Sequence, residues 1–194
     1  MRYLILLSLL LIPTPSWASD GPAFHKIRAA LSEFQLARWV KSSDWVLEDV
    51  AAIGFSYGRG GVVTEEAIET SIAHTRSEAR ARAWSDLLRA DLNGDLVVTR
   101  AEAAALERAL SGRIRARLWT RFAKADADKN GEITQGELSA YAETRSFETL
   151  PESRAAERRA YLLLDADGDG AVSLEEAEES LAALSERGHA QAAS

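Results

Sequence analysis

Oxygen-bearing side chains recur at one fixed spacing in three stretches of this chain. They are Asp91, Asn93, Asp95 and Glu102, then Asp126, Asp128, Asn130 and Glu137, then Asp165, Asp167, Asp169 and Glu176. Counted from the first acid of each stretch, they fall at positions 1, 3, 5 and 12. A hard divalent cation takes about six to eight oxygens, and this spacing supplies them from one short loop. Positions 1, 3 and 5 offer side chains, and position 7 offers a main-chain carbonyl, here from Val97, Glu132 and Ala171. Position 9 offers a hydroxyl that usually acts through water, here Thr99, Thr134 and Ser173, and position 12 offers a bidentate glutamate. One such stretch would read as a solvated acidic turn. Three in register point to cation binding.

These loops resemble those of the EF-hand superfamily, and the resemblance covers residues 56–176 with their flanking helices. Within it the chain is similar to the calmodulin-like, four-hand type. The loops start at Asp91, Asp126 and Asp165, spacings of 35 and 39 residues that suit one helix-loop-helix plus a linker. A further step of 35 residues toward the N-terminus reaches Ser56, and there Gly60-Gly61-Val62-Val63-Thr64 matches Asp95-Leu96-Val97-Val98-Thr99 in frame. With Ser56, Gly58, Gly60 and Ala67 at positions 1, 3, 5 and 12, this first hand is degenerate and is read as a partner without metal.

The resemblance implies an all-α fold of paired EF-hand helix-loop-helix units with short β bridges between loops, in two lobes. The lobes are placed at 44–110, holding loops 56–67 and 91–102, and at 112–187, holding loops 126–137 and 165–176. Ser111-Gly112 marks the boundary between them. The β-branched residue at position 8 of each loop then pairs within its lobe, Val63 with Val98 and Ile133 with Val172. The implied ion is Ca2+, because a flexible loop of about seven oxygens suits it better than the smaller Mg2+.

The loops differ in strength. Asp165, Asp167, Asp169 and Glu176 are four acidic ligands, and Gly170 supplies the turn that position 6 requires. Residues 126–137 keep Gly131 but have neutral Asn130 and the nearby charge of Lys129. Residues 91–102 put Leu96 at position 6, where a left-handed backbone costs a non-glycine residue about 1–2 kcal/mol. The expected order runs from the loop at 165 to the loop at 91.

The supporting elements read as helices. Residues 22–40 place Phe24, Ile27, Leu31, Phe34 and Trp39 at helical spacing, and Ser43-Asp44 can cap the helix that follows. Trp84 and Leu87, Trp119 and Phe122, and Tyr161 and Leu164 precede the three loops and are expected in the core. Pro151 ends the helix before it.

At the N-terminus, Met1-Arg2, the apolar run Tyr3 to Ile12 and Ser16-Trp17-Ala18 together read as a signal peptide over 1–18. The apolar run is too short for a membrane span, which takes about 20 residues. A secreted or periplasmic product starting at Ser19 is expected, with a helical segment at 19–43. The formal charge of -7 then becomes -8, because the removed segment holds one arginine and no acid. That balance argues against nucleic acid and anionic membrane as partners. There is no cysteine, hence no disulfide or thiol chemistry.

Calcium ions are the expected partner, with a protein partner as a further expectation. Two functions fit: calcium-dependent structuring or partner binding, and a calcium-stabilised interaction domain that does not sense. The sole methionine is Met1, whereas adaptable target grooves lean on methionine. The chain reads as a non-enzyme: His25, His74 and His189 are isolated, and no nucleophile elbow or phosphate loop is present.

Overall fold

A computed structural model of the chain describes residues 26–27 and 29–192. The signal-peptide reading over 1–18, Phe24 and the start of the 19–43 segment lie outside the described residues. The fold is all-α with short two-residue strands, as expected. In chain order the elements are α1 (Glu33–Lys41), α2 (Ser43–Tyr57), β1 (Val63–Thr64), α3 (Glu65–Leu88), β2 (Val98–Thr99), α4 (Arg100–Glu107), α5 (Gly112–Ala125), β3 (Glu132–Ile133), α6 (Gln135–Thr149), α7 (Glu152–Arg159), a 3-10 turn (Ala160–Leu164), β4 (Ala171–Val172) and α8 (Leu174–Ala192).

The pairing of the hands differs from the sequence expectation. Val63 pairs antiparallel with Val172, and Val98 with Ile133. The loops at 91–102 and 126–137 therefore form one couple, and the stretch at 56–67 and the loop at 165–176 form the other. The expected couples Val63–Val98 and Ile133–Val172 do not occur. Two compact units follow this arrangement: the described parts of Met1–Glu65 and Ala160–Ser194, and Glu66–Arg159.

The physical reason lies in the connections. Successive loops can bridge only if a turn separates the outgoing helix of one from the incoming helix of the next. Glu65–Leu88 has no such turn: it is one 24-residue helix without glycine or proline. Ser111-Gly112 instead breaks the chain between α4 and α5. The break read as a lobe boundary is thus the turn that brings loops 91–102 and 126–137 side by side.

Each unit has its own core. In the unit 66–159, Leu87, Val98, Ala103, Leu118, Phe122, Ile133, Leu138 and Ala142 form a buried cluster, with Trp84 and Trp119 packed at its margin. Trp119 meets Phe122 edge-on at 5.6 Å, and its indole N–H donates to Glu107 on α4. In the other unit, Trp39 and Tyr161 are fully buried with rings 5.4 Å apart, and the Tyr161 hydroxyl donates to Asp49 at 2.9 Å.

Two local expectations change. The stretch 22–40 is not one helix, because Leu31-Ser32 interrupts it. Ser32 caps α1 there in a reciprocal box with Gln35. That restart turns Phe34 outward, 76% exposed, while Ile27, Leu31 and Trp39 stay buried. The N-cap of α2 is Ser42, without a side-chain hydrogen bond, and Ser43-Asp44 lie inside the helix.

Candidate metal centres

Each of the three loops uses its side-chain oxygens to tie down its own backbone, and three of these bonds recur at the same positions in all three. The first aspartate accepts from the position-6 N–H: Leu96 to Asp91 at 3.0 Å, Gly131 to Asp126 at 3.1 Å, Gly170 to Asp165 at 3.0 Å. Position 3 accepts from position 5: Asp95 to Asn93 at 2.9 Å, Asn130 to Asp128 at 3.0 Å, Asp169 to Asp167 at 3.0 Å. Position 5 accepts from position 7: Val97 to Asp95 at 2.8 Å, Glu132 to Asn130 at 2.7 Å, Ala171 to Asp169 at 2.8 Å. These bonds turn the oxygens at positions 1, 3 and 5 toward the inside of each loop.

The glutamate at position 12 closes each loop. Glu102 accepts from the N–H groups of Leu92 at 3.1 Å and Thr99 at 2.9 Å, and Glu137 from Ala127 and Thr134, both at 3.0 Å. Glu176 accepts from Ala166 at 3.2 Å and Ser173 at 2.9 Å. The hydroxyls of Thr99, Thr134 and Ser173 donate to the same carboxylates at 2.8 to 2.9 Å. The position-9 residue is therefore half of a capping box, with Glu102, Glu137 or Glu176 as the other half. The S/T-x-x-E spelling of Thr99, Thr134 and Ser173 with their glutamates announces this, and the ligand-by-ligand reading passed over it.

These donors act on charge as well as geometry. Hydrogen bonds from Thr99, backbone first and hydroxyl second, hold the Glu102 carboxyl below the usual range, and Thr134 does the same for Glu137. For Glu176 the largest single influence is burial, which pushes upward. The bonds from Ser173, Ala166 and Asp167 together outweigh it, so this carboxyl also lies low.

Strain separates the loops. Positions 4 and 6 are left-handed in each: Gly94 and Leu96, Lys129 and Gly131, Gly168 and Gly170. Only residues 165–176 carry glycine at both. Leu96 takes φ 66° and Lys129 takes φ 60°. The first was expected from position 6; the second was not, since position 4 carries no glycine rule in the motif.

Among the described residues, two groups of acids gather closely enough to hold a metal ion. Their ligand atoms lie within 4.8 Å of one another: Asp126, Asp128 and Glu137, and Asp165, Asp167 and Asp169. At Asp91 the arrangement differs, because position 3 is Asn93, whose amide donates to Asp95 at 2.8 Å. The loop at 126–137 adds a telling atom. Asp126 is buried, and its Oδ1 has no hydrogen-bond partner. In the other loops the position-4 N–H meets that oxygen, Gly94 to Asp91 at 2.8 Å and Gly168 to Asp165 at 2.7 Å. A buried oxygen left without a donor costs about 1–3 kcal/mol. A hard cation in the loop would meet it, and the all-oxygen donor set suits such an ion.

The stretch at 56–67, expected as a degenerate first hand, has another geometry. α2 runs on through Tyr57, so the frame's positions 1 and 2 are helical. A Cβ placed on Gly58 would lie 1.9 Å from the Val62 carbonyl oxygen, and one on Gly54 would lie 2.2 Å from that of Gly61. The loop thus folds down on the helix end, and its position-7 carbonyl is packed against Gly58. Gly60 and Gly61 supply the left-handed turns, at φ 72° and 84°.

Comparison with known proteins adds one finding. The EF hand family model matches residues 120–140 and 163–177. No curated protein matches the chain, and no solved structure does. The two matched segments contain the acidic groups of the third and fourth hands and support EF-hand superfamily membership, with calcium binding as the activity that goes with it.

Proposed function

We propose that this chain is an exported calcium-binding protein that loads three loops. The ligands are Asp91, Asn93, Asp95, Val97 and Glu102; Asp126, Asp128, Asn130, Glu132 and Glu137; and Asp165, Asp167, Asp169, Ala171 and Glu176. Val97, Glu132 and Ala171 act through their carbonyls. The observation that carries this reading is the repeated inward array of oxygens, sharpened by the unsatisfied, buried Asp126 Oδ1. The first hand takes no ion in this reading, because its position-7 carbonyl packs against Gly58.

The loop at 165–176 binds tightest: it has four acids and glycine at both left-handed positions. Binding orders the loops and neutralises acids that otherwise repel one another, so calcium stiffens both units. Calorimetric calcium titration of the chain from Ser19, repeated in excess magnesium, tests the proposal. It should show three sites that magnesium does not fill. Binding at a fourth site, or none above the magnesium background, contradicts it.

A calcium-stabilised domain without sensing is the second reading. In its favour, the apolar residues of the outgoing helices are already inside: Ala103, Leu138, Ala142, Ala177 and Leu181 are buried. One saturated site stabilises by about 2.7 kcal/mol at a calcium level about 100 times its Kd. For export, the test is the mass of the mature protein, which should begin at Ser19.

A further inference from the structure

The helix α5 is the most basic element of an acidic protein. Over Gly112–Ala125 it carries Arg113, Arg115, Arg117, Arg121 and Lys124, with no acid. Arg113, Arg117, Arg121 and Lys124 follow one another at steps of four, four and three residues, which places them on one face. With Tyr141 and Arg145 of α6 they line a groove of about 390 Å3. Arg121 is paired with Asp86 at 2.9 Å, and Arg145 with Glu148. Arg113, Arg117 and Lys124 are exposed, and among the described residues none of them makes an ion pair.

Clustered like charges with no counter-charge raise the energy of the free protein, and an anionic partner relieves it. We infer that this groove docks a short, extended acidic segment of a protein partner. Length supports that occupant. From Arg113 to Lys124 the helix rises about 16 Å, the span of about five extended residues. The segment would set two to four Asp or Glu side chains against the free cations, while the Tyr141 ring forms an apolar floor. A long polyanion fits less well, because Lys124 leads directly into the acids of residues 126–137 and the chain as a whole carries -7. At physiological salt, charges beyond about 8 Å are screened, so the local cluster rather than the net charge governs a short segment.

The test uses the whole chain in excess calcium chloride and a fluorescein-labelled peptide of about five glutamates, read by fluorescence anisotropy at physiological salt. We expect saturable binding that weakens about tenfold or more in Arg113→Glu/Arg117→Glu and is unchanged in Arg59→Glu, which reverses an exposed arginine elsewhere. Arg113→Gln/Arg117→Gln should fall between, and it decides the matter if the reversed pair does not fold. No binding, equal binding by the neutral pair, or stronger binding of a single-stranded oligonucleotide or of anionic vesicles than of the peptide would overturn the inference.

Discussion

Leu96 and Lys129 each hold a backbone conformation that glycine adopts freely, and each stands in a loop that the proposed function closes around a cation. Relieving either should strengthen its loop. Leu96→Gly is expected to raise calcium affinity at 91–102 by about tenfold, from strain of about 1–2 kcal/mol. Lys129→Gly should do the same at 126–137. Part of that gain comes from losing a charge, so Lys129→Ala, which loses the charge and keeps the strain, should gain less. Isothermal titration of each variant reads both. The capping boxes make a further prediction at this scale. Thr134→Ala removes the hydroxyl that caps α6 and bonds Glu137 at 2.9 Å. It should lower apo stability by about 1 kcal/mol, as loss of such a cap does, and weaken calcium binding at 126–137. Denaturant unfolding with and without calcium checks it. Position 6 strain was legible in the sequence because the motif names glycine there. Lys129 was not read that way, because the motif names no residue at position 4; the signal lay in the glycines that the other two loops carry there, Gly94 and Gly168.

Connections, more than the helices themselves, decide how these elements assemble. The helices were readable: of the residues expected in the core ahead of the three loops, Leu87, Phe122, Tyr161 and Leu164 are buried, and Trp84 and Trp119 are partly so. Which hand faces which was not, since position 8 is β-branched in all four and offers no code for its partner. The deciding feature was the lack of a breaker across Glu65–Leu88, a signal carried by what is missing from 24 residues. The first hand gives this scale its mutational test. Gly54→Ala should improve helix propensity by about 1 kcal/mol in an open helix, yet here the new methyl would meet the Gly61 carbonyl at 2.2 Å. Thermal unfolding should therefore show net destabilisation. Acid sensitivity gives another. Arg159 bonds Glu69 at 2.5 Å and Glu152 at 2.6 Å, and it holds Glu69 below the usual carboxylate value of 4.5; Arg76 and Arg159 do so for Glu152. A depressed carboxyl contributes stability that is present above its unfolded pKa and lost as pH falls through its folded one. The unit 66–159 should therefore lose stability below about pH 4.5, and Arg159→Gln should flatten that loss. The effect is modest because the pairs are exposed.

For the whole molecule, the pairing of hands decides which cation sites share a rigid link. The loops at 91–102 and 126–137 are joined by the Val98–Ile133 bridge and by the Arg100 N–H, which donates to the Gly131 carbonyl at 2.9 Å. The loop at 165–176, with the strongest ligand set, is joined through Val172 to the collapsed first hand. Under the proposed function, cooperativity is therefore expected between the two weaker loops, and the tightest site is expected to bind alone. This reverses the sequence expectation, which coupled the loops at 126 and 165. The most direct measurement is a calcium titration of three proteins, the natural chain, Glu102→Gln and Glu176→Gln, followed by calorimetry and by amide resonances of Gly131 and Gly170. Glu102→Gln should weaken binding at Gly131 as well as at its own loop and leave Gly170 unchanged. Glu176→Gln should abolish the tightest phase and leave the response of Gly131 as it is in the natural chain. If instead Glu176→Gln weakens binding at Gly131 while Glu102→Gln does not, the hands are coupled in sequence order and the account is wrong.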